Sequence, residues 1–350
     1  MKVVTVNASK RYEVKIGSGL LASLGKEVRQ VTKAQKVAVI SETNVWPLYG
    51  AAAQASLRDA GFDTVSFVFP AGEASKNGTT FLELLNFLAE NHLTRTDALI
   101  ALGGGVVGDL VGFTASAYLR GVPYIQVPTT LLAAVDSSVG GKTAIDLPTG
   151  KNLAGAFYQP SLVLCDIDTL NTLPDSVFRD GCAEAVKYGI LFDPELFAHF
   201  AAHSLDFHRE DVIARCVELK RDVVDRDEFD LGERQKLNLG HTIGHGIEAQ
   251  SHFTISHGTA VAIGTAIVTR ASAACGICSK DTQEEVLAVL EKLGHPTTTE
   301  YTAEQLYTAA LSDKKRTGGT VNLIVPERIG TCAIRPTPVE ELKAFIKAGL

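Results

Sequence analysis

The chain has 350 residues, with 33 Lys and Arg against 40 Asp and Glu, so its formal charge is −7. An acidic balance argues against a general nucleic-acid binder, which gathers a basic excess on one face. With 45% apolar and 21% charged residues, the composition excludes disordered and fibrous classes, and the length points to two domains, each able to bury its own core. No apolar run approaches the ~18 residues that a membrane helix needs. Met1-Lys2-Val3-Val4-Thr5-Val6 reads as an alternating strand rather than a secretory signal, so the expected location is the cytosol, with no membrane partner. Cys165, Cys182, Cys216, Cys275, Cys278 and Cys332 are scattered, as free thiols in a reducing compartment are. The pair Cys275-Gly276-Ile277-Cys278 lacks a second CxxC and reads as small buried residues at a helix end.

In chain order, residues 3–6 and 11–16 read as an antiparallel edge pair. Val37 to Ser41, Thr64 to Phe69, Ala98 to Leu102, Tyr124 to Val127 and Leu162 to Cys165 are short apolar runs bounded by turn residues, as buried parallel strands are. Pro47 to Ala60 and Thr79 to Asn91 carry apolar residues at helical spacing. This alternation predicts a mostly parallel, Rossmann-like sheet in an α/β domain over 1–172, with a ligand at the carboxyl ends of its strands. After Thr172 the strand signals almost stop. Pro174 to Ile190, Asp193 to His203, Asp211 to Asp227, Lys236 to Gln250, His257 to Ala274, Thr282 to Leu293 and Ala303 to Leu311 read as helices, and Val321 to Val325 with Cys332 to Ile334 as a hairpin. A mainly α-helical domain over 173–350 is expected, and the default site for a ligand is a cleft between the two.

Gly103, Gly105 and Gly108 fit GxGxxG between a strand and a helix, where bare N–H groups and the helix dipole hold a pyrophosphate. The same glycines also fit tight turns. The motif does not follow the first strand, and no acid stands ~20 residues on; Glu42, at the end of an earlier strand and followed by Asn44, can offer its carboxylate to a ribose instead. Pro128-Thr129-Thr130 and Asp136-Ser137-Ser138-Val139-Gly140-Gly141-Lys142-Thr143 form a second anion-type loop, with Asp136 where a P-loop would need its leading glycine. Lys151-Asn152 adds another cation.

His241 and His245 lie four apart within a helical pattern and share a face, and His257 opens the next helix. Such a trio with a nearby carboxylate is a common zinc arrangement, although core or capping histidines remain the alternative. Thr242 and Ile243 exclude the HExxH motif, and His203, His208 and His252 read as surface residues. Lys142, Lys151, Lys187, Lys220, Arg234 and the Lys314-Lys315 pair recur near Gly, Asn or His; if they converge they form an anion pocket.

The segments GGGVVGDLVGF, YLRGVPYIQVPTTLLAAVDSSVGGKT, GKNLAGAFYQP, AEAVKYGI, LNLGHTIGHGIE and the late DKK resemble, in order along essentially the whole chain, the 3-dehydroquinate synthase family of sugar-phosphate cyclases. The resemblance implies an N-terminal NAD-binding α/β domain, a C-terminal helical metal domain, a homodimer and a place in the shikimate pathway. It puts the metal, zinc or cobalt, on Glu184, His241 and His257, and makes His245 a substrate contact active in proton transfer. Substrate contacts fall on Asp136, Lys142, Asn152, Lys187, Lys220, Arg234, Asn238 and Lys314 or Lys315, with Arg120 reaching the phosphate site of the other subunit. NAD contacts fall on Glu42, Asn44, Glu73, Lys76, Gly104, Gly105, Val106, Asp109, Thr129, Thr130, Lys142, Lys151 and Thr172. Two departures stand out: the usual HGEAVA has Thr259 for its Glu, and the usual Asn-His before PxGKN is Asp146-Leu147.

The implied substrate, 3-deoxy-D-arabino-heptulosonate 7-phosphate, carries a carboxylate and a phosphate, which accounts for many cations in an acidic chain. A sibling cyclase acting on sedoheptulose 7-phosphate or glucose 6-phosphate would need no carboxylate-binding set such as Arg234, Asn238 and the 314–315 lysines. A metal-dependent polyol dehydrogenase would accumulate NADH. A silent NAD-binding module would be indifferent to Lys142→Ala.

Overall fold

Apolar runs bounded by turn residues become the strands and helices of the first half: β1 (Lys2–Asn7), β2 (Arg11–Gly17), α1 (Leu24–Val31), β3 (Lys36–Glu42), α2 (Ala51–Asp59), β4 (Asp63–Phe69), α3 (Gly78–Glu90), β5 (Ala98–Gly103), α4 (Gly105–Ala117), β6 (Tyr124–Pro128), β7 (Lys142–Leu147), β8 (Gly150–Phe157) and β9 (Leu162–Asp166). The computed structural model describes residues 1–203, 208–311, 316–317 and 319–350. Seven strands form one sheet in the order β1-β2-β9-β6-β5-β3-β4, in which only β1 and β2 pair antiparallel. Both faces of its centre are covered. Val37 and Val39 of β3, with Ile100 and Leu102 of β5, join one core with Leu24, Val28 and Leu57; Ala38, Ile40, Leu99 and Ala101 join a second with Leu84, Leu88, Leu110 and Val111. That two-sided burial is why these strands read as continuous apolar runs rather than alternating ones. Each fully buried aliphatic contributes ~1.5–3 kcal/mol relative to exposure.

The chain leaves β3 for β4 on one side and returns to β5 on the other. The carboxyl ends of β3 and β5 are therefore neighbours at a topological switch point, where open α/β sheets bind ligands. Glu42 ends β3, and Gly103–Gly105 joins β5 to α4. A Cβ on Gly108, inside α4, would lie 2.5 Å from Gln126 Oε1 and displace that amide; glycine lets the helix lie against β6 with Gln126 in place.

The sequence marks residues 136–143 as an anion-type loop, with Lys151-Asn152 as an added cation. The structure makes β7 and β8 a separate antiparallel hairpin, with Lys142 opposite Phe157 and a register shift between Ile145 and Leu147. Its residues are largely half-exposed and glycine interrupts them, so no apolar periodicity marks it. The remaining elements are α5 (Asp175–Phe192), α6 (Pro194–Ala202), α7 (Arg209–Arg226), α8 (His241–Gln250), α9 (His257–Ala274), α10 (Lys280–Lys292), α11 (Ala303–Leu311), β10 (Arg316–Thr317), β11 (Thr320–Arg328), β12 (Thr331–Pro338) and α12 (Val339–Gly349). A continuous helix from Lys236 was expected; instead a 3-10 turn over Glu233–Asn238 is separated from α8 by Gly240, at φ 76°. The late hairpin gains β10 as a third strand.

Two compact units result, Met1–Pro174 with Ile213–Phe229, and Asp175–Val212 with Asp230–Leu350. Most of α7 thus packs with the α/β unit although it lies far beyond residue 172. No helix among the described residues is long and apolar enough to cross a membrane. All six cysteines are free; Cys275, expected to be buried, is exposed at the end of α9, whereas Cys278 is buried. His203, His208 and His252 are exposed.

Candidate active site

In the α/β unit, the residues after the strands gather around Lys76. Its ammonium donates to Asp109 Oδ2 and to Asn152 Oδ1, both at 2.6 Å, and lies 3.7 Å from Glu73 Oε1. Lys151 Nζ is 3.8 Å from the same Glu73 oxygen. Burial pulls the Lys76 pKa down, but Asp109 and Glu73 more than compensate and hold it above its ordinary value; burial pushes the Asp109 carboxyl up against the pull of Lys76. The hairpin is tied to this cluster by the Asp146 N–H, which donates to the Lys76 carbonyl at 2.8 Å. Asp146 Oδ1 in turn accepts from the Asn152 N–H at 2.7 Å, holding Asn152 at φ 53°. Burial, then Glu73, raises the Asp146 carboxyl despite that bond and Lys76.

Gly104, Gly105 and Val106 open α4 and are half-buried. The Thr129 N–H donates to the Gly103 carbonyl at 3.0 Å, and the Thr129 hydroxyl is buried with no hydrogen-bond partner among the described residues. Thr130 stands against Gly104, whose Cβ would lie 2.9 Å from Thr130 Cγ2. The Glu42 carboxylate accepts from the N–H groups of Asn44 (2.7 Å) and Val45 (3.0 Å), and Thr172 shares a 2.6 Å hydrogen bond with Tyr49. Asp136 sits in a π turn, Ala133–Ser137, and pairs with Lys220 of α7. Lys142 is exposed at the start of β7, and Arg120 is exposed at φ 65° beside Leu119 at φ 49°.

The helical unit builds a second cluster. Helices α8 and α9 approach through Gly244 and Gly264, whose Cβ atoms would meet Ala260 O at 3.0 Å and Gly240 O at 2.1 Å. The histidine rings are thereby brought together, with centroids of His241 and His257 5.3 Å apart and of His241 and His245 5.5 Å apart. Glu184 of α5, 1% exposed, points one oxygen at His241 Nε2 (3.5 Å) and His257 Nε2 (3.4 Å) and pairs with Lys187 one turn on. Beyond these ionic contacts neither Glu184 oxygen has a hydrogen-bond partner among the described residues. Behind the rings, His241 Nδ1 lies 3.0 Å from the Leu239 carbonyl and His257 Nδ1 3.2 Å from Glu248 Oε2. Each imidazole is thus held through Nδ1 and leaves Nε2 facing the carboxylate, the arrangement that orients metal-ligating histidines. Burial would lower the His257 pKa; the neighbouring Glu184 and Glu248 carboxylates reverse this and raise it to about 10.

Ligand atoms of Glu184, His241 and His257 lie within 4.8 Å of one another, as do those of His245, Glu248 and His257. A buried carboxylate with two Nε2 donors is a donor set that suits zinc or cobalt. Sequence spacing alone had joined His241, His245 and His257; the structure turns His241 and His257, not His245, toward Glu184. Glu248 is marked in the sequence only by lying three residues from His245 on the same helical face. Arg234, 1% exposed, and the half-buried Asn238 lie on the turn before α8. Lys314 and Lys315 fall outside the described residues.

Family models for the 3-dehydroquinate synthase N-terminal and C-terminal domains match residues 66–180 and 181–316, and the chain is 45% identical to the 3-dehydroquinate synthase of Enterococcus faecalis over 99% of its own length and 98% of the relative's. The chain belongs to the 3-dehydroquinate synthase family. Identity to the Streptococcus suis 3-dehydroquinate synthase is 43%, over 99% of this chain and all of the other. Among solved structures it is similar to a 2-epi-5-epi-valiolone synthase of Streptomyces hygroscopicus with NAD+ and Zn2+ bound (TM-score 0.89, 25% identity, 100% and 99% covered). An iron-containing alcohol dehydrogenase shares the fold at a TM-score of 0.70 and 13% identity, with 97% of each chain covered. The mostly parallel sheet and helical C-terminal unit are those of this family and its cyclase and dehydrogenase neighbours.

Proposed function

We propose that this chain is a 3-dehydroquinate synthase, a carbon–oxygen lyase that converts 3-deoxy-D-arabino-heptulosonate 7-phosphate to 3-dehydroquinate and phosphate in the shikimate pathway. The observation that carries the reading is the convergence of His241 Nε2 and His257 Nε2 on buried Glu184, in a chain similar to these synthases along its whole length. Bound NAD supplies a hydride acceptor that returns the hydride within the cycle, and a divalent cation, zinc or cobalt, supplies Lewis acidity that eases ionisation of a substrate alcohol.

Glu184, His241 and His257 hold the metal. Gly104, Gly105 and Val106 offer backbone N–H groups to the dinucleotide pyrophosphate, with Thr129 and Thr130 alongside; Glu42, Asn44, Glu73, Lys76, Asp109, Lys142, Lys151 and Thr172 complete the NAD contacts. The substrate's carboxylate and phosphate require cations, and the candidates are Lys142, Lys220, Lys187, Arg234 and Lys314 or Lys315, with Asp136, Asn152 and Asn238 as further substrate contacts. His245, beside the metal trio, carries protons, and fixed contacts along the substrate restrict the ring-closing aldol step. The buried Arg234, with Asn238, favours a substrate that carries a carboxylate besides its phosphate over the sugar phosphates of sibling cyclases, which have none.

The protein is further proposed to be a cytosolic homodimer, in which Arg120 reaches the partner's phosphate site. Two successive non-glycine residues in the left-handed region, Leu119 and Arg120, mark a strained turn of the sort retained where function needs it, and six free thiols fit a reducing compartment. The test of the reaction mixes protein, NAD, zinc and the heptulosonate phosphate. Stoichiometric phosphate release with 3-dehydroquinate formed and no lasting NADH absorbance is expected; accumulating NADH would instead identify a dehydrogenase.

A further inference from the structure

Asp180 and Glu184 stand one turn apart on α5, and both reach the first turn of α9. Glu184 meets the side chain of His257; Asp180 grips the backbone beside it. Asp180 Oδ1 accepts from the Thr259 N–H at 3.0 Å, from the Thr259 hydroxyl at 3.2 Å and from the Ser256 hydroxyl at 2.6 Å. Ser256 occupies the N-cap position of α9 but makes no side-chain cap bond of its own, so a carboxylate from another helix does the work that an N-cap side chain ordinarily does for the third helical N–H. It also places negative charge at the positive end of the helix dipole. Close approach is possible because the residue between, Gly258, has no side chain: a Cβ there would lie 2.2 Å from the Asp180 carbonyl oxygen.

We propose that Asp180 is a positioning residue of the metal centre: by capping α9 through Thr259 and Ser256 it fixes His257 at ligating distance from Glu184. This inference rests on the reading of Glu184, His241 and His257 as the metal ligands. It also gives a role to Thr259, where the family usually has Glu. With Asp180 already at the helix end, a hydroxyl donates to the cap, whereas a second carboxylate would repel it.

The test titrates zinc, against a chromophoric chelator, into the metal-stripped full-length protein, and records the visible spectrum of the cobalt form. His257→Ala must abolish tight zinc binding; if it does not, or if the parent binds no zinc, the metal reading fails and the inference falls with it. Given that control, Asp180→Ala is expected to weaken zinc binding about 10- to 100-fold, the usual effect of losing a group that orients a ligand, and to alter the cobalt spectrum. Asp180→Asn, which keeps the accepting oxygen, stays within a few-fold of the parent. Thr259→Glu weakens zinc binding and Asp180→Asn in that background restores it. Parent-like zinc affinity and cobalt spectrum in folded Asp180→Ala would overturn the proposal whatever its melting temperature; should that variant not fold, parent-like zinc affinity in Thr259→Glu does the same.

Discussion

Lys220 and Asp136 lie 84 positions apart, yet the Lys220 ammonium donates to the Asp136 carbonyl oxygen at 2.7 Å and also to its carboxylate. The side chains are only 7% and 16% exposed. Breaking such a pair from one side leaves a poorly solvated charge, which typically costs ~3–5 kcal/mol. Lys220→Met is expected to destabilise the protein by about that much in urea unfolding, and Asp136→Asn in the same background to recover part of the loss. Strictly additive losses would show that the two residues do not act as a pair.

The two histidine groupings around His257 make different predictions. Replacing Glu184, His241 or His257 by Ala should remove tightly bound metal and turnover together. His245→Ala should keep one metal per chain and lower turnover ~10²–10⁴-fold, the range of general acid–base catalysis. Metal content measured alongside rate separates these outcomes, and loss of metal from the His245 variant would move the site to His245, Glu248 and His257.

Asp97 joins the turn before β5 to its surroundings. Its carboxylate accepts from the N–H groups of Gln35, Lys36 and Thr94 and from the Thr94 hydroxyl, at 2.8–3.2 Å. Burial alone would raise its pKa, but these bonds outweigh burial and hold it below the ordinary value. A carboxyl depressed in the folded state contributes stability above its unfolded pKa, ~3.9, and loses it as pH falls through the folded value. Asp97→Ala should therefore cost ~1–3 kcal/mol at neutral pH and narrow the gap to the parent under strong acid. A gap that stays constant down to acid unfolding would sink the argument.

Arg120 offers a test of assembly. If it serves the partner's site, Arg120→Ala and His257→Ala homodimers are each inactive, while re-equilibrated mixtures regain about a quarter of parental activity, since half the dimers are hybrids with one intact site. No recovery, in mixtures shown by mass to contain hybrids, would place Arg120 in its own subunit's site.

The strands of the α/β sheet were legible because burial on both faces writes itself as an apolar run; Val37 to Ser41 and Ala98 to Leu102 needed no knowledge of their neighbours. The glycine loop after β5 and the paired His241 and His245 were legible too, since a motif that folds locally keeps its spacing. The β7–β8 hairpin was not, because half-exposed residues broken by glycine carry no period. Glu184 entered only through family resemblance: nothing local distinguishes it from any helical Glu, and only the packing of α5 against α9 brings it to His257.

The sequence by itself thus determined the sheet, the helical second unit and the inventory of histidines, carboxylates and cations, because these follow from contacts within a few turns of chain. Tertiary structure decided which of them meet. The antiparallel approach of α8 and α9 over Gly244 and Gly264 selects His241 and His257 as the pair facing Glu184 and sets Glu248 behind His257. The crossing at Gly258 turns Asp180, silent in the sequence, into the cap of α9. A side chain's periodicity is a local property, whereas its partner is chosen by how closely two backbones can pack.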